Sequence, residues 1–399
     1  MISQVEQSQV LTPKKIAIVT HSIPHFEVPL YRAISSCPEL ELKVFYTEEI
    51  GIREEFDPLY NRPIQWGIPL LEGYSSQLLK KPIEIIKALG SEEFDAVVVY
   101  GYADWLKMLA ILSCSLSGIP LIFRGTATLL EQRNPLKQAA KKMGLSVLFR
   151  LFSAFLVGGT HNRDYFRYYG VKDEKMFFVP FSVDVQWFAV EAEKLSSQKQ
   201  VLKERLGINA EVVILFVGNL TPKKGPHVLL PAFSILAKEV EDVVLVIAGD
   251  GPMMQELKQY VEKHGLDKRV FFLGFVSQKE LPSIYVISDA VVFPSLYDET
   301  WARAVNEAMA CGLPIIASRK VGATGDIVRD GINGFVVKEG DVEELADKMR
   351  LLVTDRELRK KMGEASKEII KGWTYEAALP NFIRAVEYAI ATRKKKKFE

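Results

Sequence analysis

The second half of the chain carries six short, nearly unbroken apolar runs, at residues 212–217, 243–249 (VVLVIAG), 270–274 (VFFLG), 290–295 (AVVFPS), 313–318 (LPIIAS) and 334–337 (GFVV). A strand with one wet face alternates apolar and polar residues. A run without alternation must be covered on both faces, which in an α/β protein means a parallel sheet between two helical layers. The intervening segments are long enough for helices, so the pattern predicts a strand–helix alternation of Rossmann type.

The first half shows the same rhythm more loosely. Residues 16–20 form an apolar run followed by a loop and a helical pattern from Pro29, and further runs lie at 42–46, 95–100, 119–123, 155–158 and 176–179, with a helix over 105–116. At 399 residues the chain exceeds one average core, and a prior of about 150 residues per domain favours two or three domains. The rhythm fades over 181–204, which is charged (EAEKLSSQKQ) and reads as a hinge. The predicted organisation is a first Rossmann-like domain over 1–180, completed by a C-terminal helix over 375–393 that crosses back to it, and a second over 205–373. A basic tail occupies 394–399. Ligands of open α/β sheets bind beyond the carboxyl ends of the strands, so two such domains facing each other make a cleft.

Composition excludes several classes of function. A net charge of +1 exerts no global pull on nucleic acid. The five histidines and three cysteines show neither metal-ligand spacing nor CxxC pairs, and no Asp-x-Asp triplet occurs, so no metal and no resident cofactor are expected. The odd, widely spaced cysteines suggest no disulfide framework, and the polar first thirteen residues contain no hydrophobic run. The expectation is a cytoplasmic protein, soluble or held at the inner face of a membrane by peripheral contact.

The densest chemistry lies in PSLYDETWARAVNEAMACGLPIIAS, which begins at Pro294. Thr300 is a plausible N-cap for a helix starting at Ala302 and ended by Gly312 and Pro314, which puts Glu299 before the helix and Glu307 within it. Glu307 would then lie roughly 7 Å along the axis from Ala302, about the separation of a phosphate from the sugar hydroxyls of a nucleotide. Two solvated surface glutamates would satisfy the same spacing. Directly after the first strand of the second domain comes GNLTPKKGPHVLL, with Gly218 and Asn219 at the strand exit and Lys224 before a helix; it lacks the P-loop spacing. After FLG, Phe275 and Val276 could offer backbone groups and an apolar wall to a flat base. All these positions share one strand-end rim.

In that order and spacing, the Glu-seven-residues-Glu element, VGNLTPKKG, FLGFV and VGATGDIVRDGINGFVV resemble glycosyltransferase family 4, whose members are retaining enzymes of the GT-B fold. The match covers nearly the whole second domain. IPHFEVPLYRAI, GIPLIFRGTATLL and GTHNRDYFRYYGV in the first domain look, more loosely, like polysaccharide-assembly members. The resemblance implies α/β architecture of GT-B type and a donor site in the second domain. Glu307 would hold the ribose hydroxyls, Glu299 the transferred sugar, Lys224 the diphosphate, Phe275 and Val276 the base, and Ala302 and Arg303 phosphate oxygens. Asn219 stands where family members commonly carry arginine, Ala302 where they carry glycine, and Arg124 where many carry histidine; Arg124 or Arg303 could supply the missing cation, or Arg124 could contact an anionic acceptor.

The implied reaction is metal-independent transfer of a hexose-type sugar from a nucleotide sugar to a glycan or lipid-linked acceptor. A nucleotide-sugar epimerase or a non-catalytic two-domain sugar-binding protein would suit the same cleft. The RKKKK run at 393–397 is readable as a contact for an anionic membrane or as a frayed solubilising tail, and no hydrophobic anchor accompanies it in sequence.

Overall fold

The computed structural model describes residues 12–49, 55–57, 62–64, 69–130, 135–297 and 299–398, with 55–57, 62–64, 135–137 and 394–398 described by their backbone alone. Asp298 and the side chains of the basic tail beyond Arg393 therefore lie outside the described residues.

The apolar runs become two parallel sheets. The first is built from β1 (Lys14–Val19), β2 (Leu40–Tyr46), β5 (Ser75–Leu78), β6 (Ala96–Tyr100), β7 (Leu121–Arg124), β8 (Ala154–Val157) and β9 (Met176–Phe178), in the order β5-β2-β1-β6-β7-β8-β9. A small antiparallel ribbon of β3 (Glu55–Asp57) and β4 (Arg62–Ile64) is inserted before β5. The second sheet contains β10 (Val212–Val217), β11 (Val243–Ala248), β12 (Val270–Gly274), β13 (Ala290–Phe293), β14 (Ile315–Ser318) and β15 (Gly334–Val337), ordered β12-β11-β10-β13-β14-β15. Every pairing within both sheets is parallel. Continuous burial of β11, β13 and β14 explains their lack of alternation, because both faces of each strand meet helices.

In each sheet the winding reverses once, between β1 and β6 and between β10 and β13. Such a reversal opens a crevice at the carboxyl ends of the strands, because the loops on either side of it depart in opposite directions. This is what positions the site.

The helices are α1 (Val28–Ser35), α2 (Glu84–Ser91), α3 (Trp105–Ser117), α4 (Pro135–Leu148), α5 (Thr160–Tyr168), α6 (Val185–Ser196), α7 (Lys199–Arg205), α8 (Pro226–Glu239), α9 (Met254–Lys263), α10 (Leu281–Ile287), α11 (Ala304–Ala310), α12 (Val342–Thr354), α13 (Arg356–Ile370) and α14 (Tyr375–Phe398). Residues of α2, α3, α4 and α5 enter one core on the first sheet, while α1 and α14 enter the core on its other face. The 181–204 segment read as a hinge contains α6 and α7, which pack against α10 of the second lobe. The chain therefore leaves the first lobe at Pro180 and is bedded in the second core from Phe181. The helix α14 returns to β6–β9 of the first sheet and continues to Phe398, five residues beyond the expected end.

One expected element is displaced. The helix predicted from Ala302 begins at Ala304 and spans seven residues, with Arg303 at the N-cap and no side-chain cap, so Thr300 does not cap it. The reason is local. Ala302 adopts φ 65°, outside the helical region, and Glu299 is drawn into a bridge with Val321 while its carbonyl accepts from the Gly322 amide at 2.9 Å.

Candidate functional site

Lys224 sits at the end of a 3₁₀ turn, Pro222–Lys224, between β10 and α8. The next residue, Gly225, has φ 70°, and a Cβ there would run into the Pro294 carbonyl oxygen after β13. Only glycine allows both the left-handed turn and that approach. The contact, together with the Leu296 amide donating to the Lys223 carbonyl at 2.8 Å, locks the two strand-exit loops flanking the crevice. As a consequence the Lys224 ammonium donates to the Glu299 carboxylate, 75 residues away in sequence. Glu299 is nearly buried, whereas Lys224 keeps about a quarter of its side chain in water.

Glu307 is buried within α11, one turn after Arg303. Its carboxylate accepts from the Tyr285 hydroxyl of α10 at 2.7 Å and from the Gln278 amide at 3.3 Å. Burial raises the Glu307 pKa above the ordinary carboxylate range, against the two hydrogen bonds and Arg303, which act to lower it. A buried carboxylate held by two neutral donors has acceptor capacity left for a ligand's hydroxyls. Neither Gln278 nor Tyr285 carries a recognisable signal in sequence.

Gly218 and Asn219 leave β10 toward the same rim. The Gly218 amide donates to the Ala248 carbonyl, and a Cβ on Gly249 would collide with the Gly218 carbonyl, so Gly218 and Gly249 allow two strand ends to approach closely. Phe275 and Val276 follow β12, half-buried, with Val276 packed on the core beneath α11. The structure thus gathers Glu299, Glu307, Lys224, Gly218, Asn219, Phe275 and Val276 along the carboxyl edge of one sheet.

Arg303 and Arg124 are placed differently from expectation. The Arg303 guanidinium stacks 3.5 Å from the Phe26 ring centroid, donates to the Ser182 carbonyl at 3.1 Å and pairs with Glu27 at 3.5 Å. Arg124 is fully buried; it donates to Glu27 at 3.0 Å and to the Val179 carbonyl at 3.1 Å. Burial acts to lower its pKa, yet the Glu27 carboxylate holds it above its ordinary value. Both guanidiniums pair with Glu27. Ala302 is corrected as well: it does not open a helix, and its methyl is carried in a conformation suited to glycine.

The lobes also touch through Asp326, which accepts from the Thr160 amide at 2.7 Å and from its hydroxyl at 2.5 Å. A carboxylate from the second lobe thus satisfies an otherwise unpaired donor at the start of α5 in the first. Nearby, a Cβ on Gly159 would strike Trp301, whose ring stacks on Trp373 and whose indole donates to Asn306 at 2.8 Å. Among the described residues no group of three or more His, Cys, Asp and Glu could hold a metal ion.

Residues 198–369 match the family described as Glycosyl transferases group 1. Spore coat protein SA of Bacillus subtilis is 34% identical over 176 residues, which covers 42% of this chain and 46% of that protein. The UDP-Gal:alpha-D-GlcNAc-diphosphoundecaprenol alpha-1,3-galactosyltransferase of Escherichia coli is 24% identical over 307 residues, 74% of this chain and 76% of its own length. The chain spans about half the length of the curated relatives that it matches at 30% identity or better. The crystal structure of Anabaena HepE in complex with UDP and glucose superposes with a TM-score of 0.71, at 19% identity, over 94% of this chain and 99% of that one. The two-lobed α/β architecture is therefore the GT-B fold.

Proposed function

We propose that the chain, whose residues 198–369 match the glycosyl transferases group 1 family, is a retaining glycosyltransferase that moves a hexose-type sugar from a nucleotide diphosphate sugar to a glycan or lipid-linked acceptor. The observation that carries the reading is the Lys224–Glu299 pair, which joins two strand exits of the second sheet just before the helix that holds Glu307. Glu307, oriented by Tyr285 and Gln278, accepts from the ribose hydroxyls. Phe275 and Val276 wall the base. Glu299 accepts from hydroxyls of the transferred sugar, and its pairing with Lys224 sets the ammonium beside the diphosphate.

Lys224 is the cation assigned to the leaving diphosphate; the reading needs no metal, and Asn219 contributes a neutral donor. Charge developing on the leaving group is met by a group already in position, which is the most effective form of transition-state stabilisation. No side chain in the gathered set is a free nucleophile aimed into the cleft, which favours front-face substitution. The acceptor oxygen forms its bond to the anomeric carbon on the face the diphosphate leaves, and its proton passes to a diphosphate oxygen. The UDP and glucose of HepE and the diphosphoundecaprenol-linked acceptor of the Escherichia coli relative support a nucleotide-sugar donor and a lipid-linked acceptor here.

A thermal-shift panel of nucleoside diphosphates and their sugars tests the donor site, since a ligand that binds the folded state raises the melting temperature by mass action. At least one diphosphate should stabilise the wild type and not Lys224→Ala. A panel with no response at all would falsify the donor assignment. Donor conversion that proceeds without acceptor would indicate an epimerase instead, and binding without any conversion a sugar-binding protein.

A further inference from the structure

Helix α3 is apolar on two opposite faces. Leu106, Ala110, Ile111 and Cys114 are buried in the core of the first lobe. Trp105, Met108, Leu112 and Leu116 recur at spacings of three and four, so they form one stripe on the outer face. Their exposures run from 43% at Met108 to 80% at Leu116. The one charged residue in α3 is Lys107, which pairs with Asp104. A helix without a polar face is ordinarily covered, and an exposed apolar stripe of this size marks an interaction site.

Two features say what covers it. The first is the path of α14. Its Arg393 donates to the Ser117 carbonyl at the last residue of α3, and its guanidinium lies 3.4 Å from where a Cβ of Gly118 would sit. The helix backbone continues from there to Phe398, so the run Arg393 to Lys397 begins beside the Leu116 end of the stripe. Arg393 and the end of α3, far apart in sequence, are neighbours in space. The second is the charge of the neighbouring helix on one side, while on the other Glu92, Glu93 and Asp95 share a surface cavity with Ser117 and Arg393. Helix α4, bedded in the same core face as α3, has no acidic residue and exposes Met143 and Val147.

We propose that this face of the first lobe docks on the surface of an anionic lipid bilayer, with the α3 stripe seated at the headgroup boundary and the 393–397 run on the anionic headgroups. One weak signal gives only marginal membrane attachment, and stable attachment takes an apolar and a basic one together. Tryptophan at the stripe's start suits the interface, where its ring is apolar and its N–H stays wet. A second copy of the chain is the poorer occupant. A twofold contact across α3 would bring two basic runs toward each other and set like charges face to face. Trp105 lies five residues past the carboxyl end of β6 and Leu116 near the opposite edge, so the docked stripe extends from the basic run to the rim on which the cleft opens. Among the described residues no helix is long and apolar enough to cross a membrane, and the attachment is peripheral.

The inference does not depend on the transfer reaction and is testable without turnover. The full-length protein is floated with vesicles of phosphatidylcholine alone and of phosphatidylcholine and phosphatidylglycerol in equal parts. The wild type should float with the anionic vesicles only, and added salt should release it. The Leu112→Glu/Leu116→Glu variant should lose at least about tenfold in partitioning, and the quadruple Lys394→Gln to Lys397→Gln variant a similar factor. Leu112 and Leu116 are exposed, and unchanged melting temperatures check that the variants fold. Independently of those variants, Trp105 emission should shift to the blue on adding anionic vesicles, and Trp105→Phe should abolish the shift. The proposal is overturned if the wild type stays with the unbound protein, if the leucine variant floats like the wild type, or if lipid-free protein is a dimer that the leucine variant dissolves.

Discussion

Each lobe follows its first strand with a 3₁₀ turn that ends in a charged residue, and in each that residue pairs with an opposite charge from another strand exit. In the first lobe the turn His25–Glu27 ends in Glu27, paired with Arg124 of β7. In the second the turn Pro222–Lys224 ends in Lys224, paired with Glu299 after β13. The signs are reversed, and so is the access. Glu27 and Arg124 are 3% and 2% exposed, while Lys224 keeps 26%. Arg303 caps the first pair, stacks on Phe26 and adds a second cation to Glu27, and the Tyr100 hydroxyl takes the other carboxylate oxygen at 3.2 Å. Among the described residues Glu299 is the one charged group paired with Lys224. The same pairing motif is therefore a sealed joint in one lobe and an open site in the other.

That contrast is sharpened most by turnover. Lys224→Ala and Glu307→Ala should each reduce the donor-dependent rate by about a hundredfold or more, the magnitude expected when a preorganised electrostatic partner is removed. Both variants should still fold, with melting temperatures lowered because the nearly buried Glu299 and the buried Tyr285 hydroxyl lose their partners. If either variant retained near-normal turnover, the open pair would have no claim to be the site.

Stability should respond in the opposite sense. Glu27→Ala strands Arg124 as a buried charge without its carboxylate, and about 3–5 kcal/mol is the expected loss in urea unfolding. Glu299→Ala should cost about 1 kcal/mol, because Lys224 can turn to water. Equal losses from the two variants would erase the distinction between joint and site.

The joint should also be sensitive to acid. His25, in the same turn, has its pKa lowered from 6.5 to about 3, first by burial and then by Arg303. The folded state therefore binds fewer protons than the unfolded chain between those values. Stability contributed by neutral His25 is present above pH 6.5 and is lost as pH falls toward 3. Unfolding free energy measured down that range should fall less steeply in His25→Asn than in the wild type.

The smallest effect is expected at Ala302→Gly. A left-handed alanine carries a strain of roughly 1 kcal/mol, and glycine should relieve part of it, seen as a slightly higher melting temperature with turnover retained. A clear loss of stability would mean that the methyl's packing outweighs the strain.

Much of the second sheet was legible in sequence, because a strand buried on both faces can contain little but apolar residues and its limits are marked by glycine, proline and charge. That the strand exits carrying Lys224 and Glu299 meet followed from the same pattern, since loops at the carboxyl ends of parallel strands share an edge. The start of α11 did not follow. Helix propensity favoured Ala302, but with Glu299 tied to Val321 and Gly322 and Trp301 buried against Gly159 the chain passes through a left-handed Ala302 before Arg303. Gln278 and Tyr285 were likewise silent, because a side chain that orients another across 22 or 29 residues leaves no spacing to read.

Sequence by itself determined the strand–helix alternation, the apolar interior of both sheets and which charged residues stand at strand exits, since each of these follows from local burial and local turn chemistry. Tertiary structure alone decided what those charges do. It joined Glu27 to Arg124 and Arg303, left Lys224 open beside Glu299, and brought the basic end of α14 to the bare face of α3. Pairing, access to water and the neighbourhood of a surface depend on distances between segments remote in the chain, and one-dimensional spacing does not encode them.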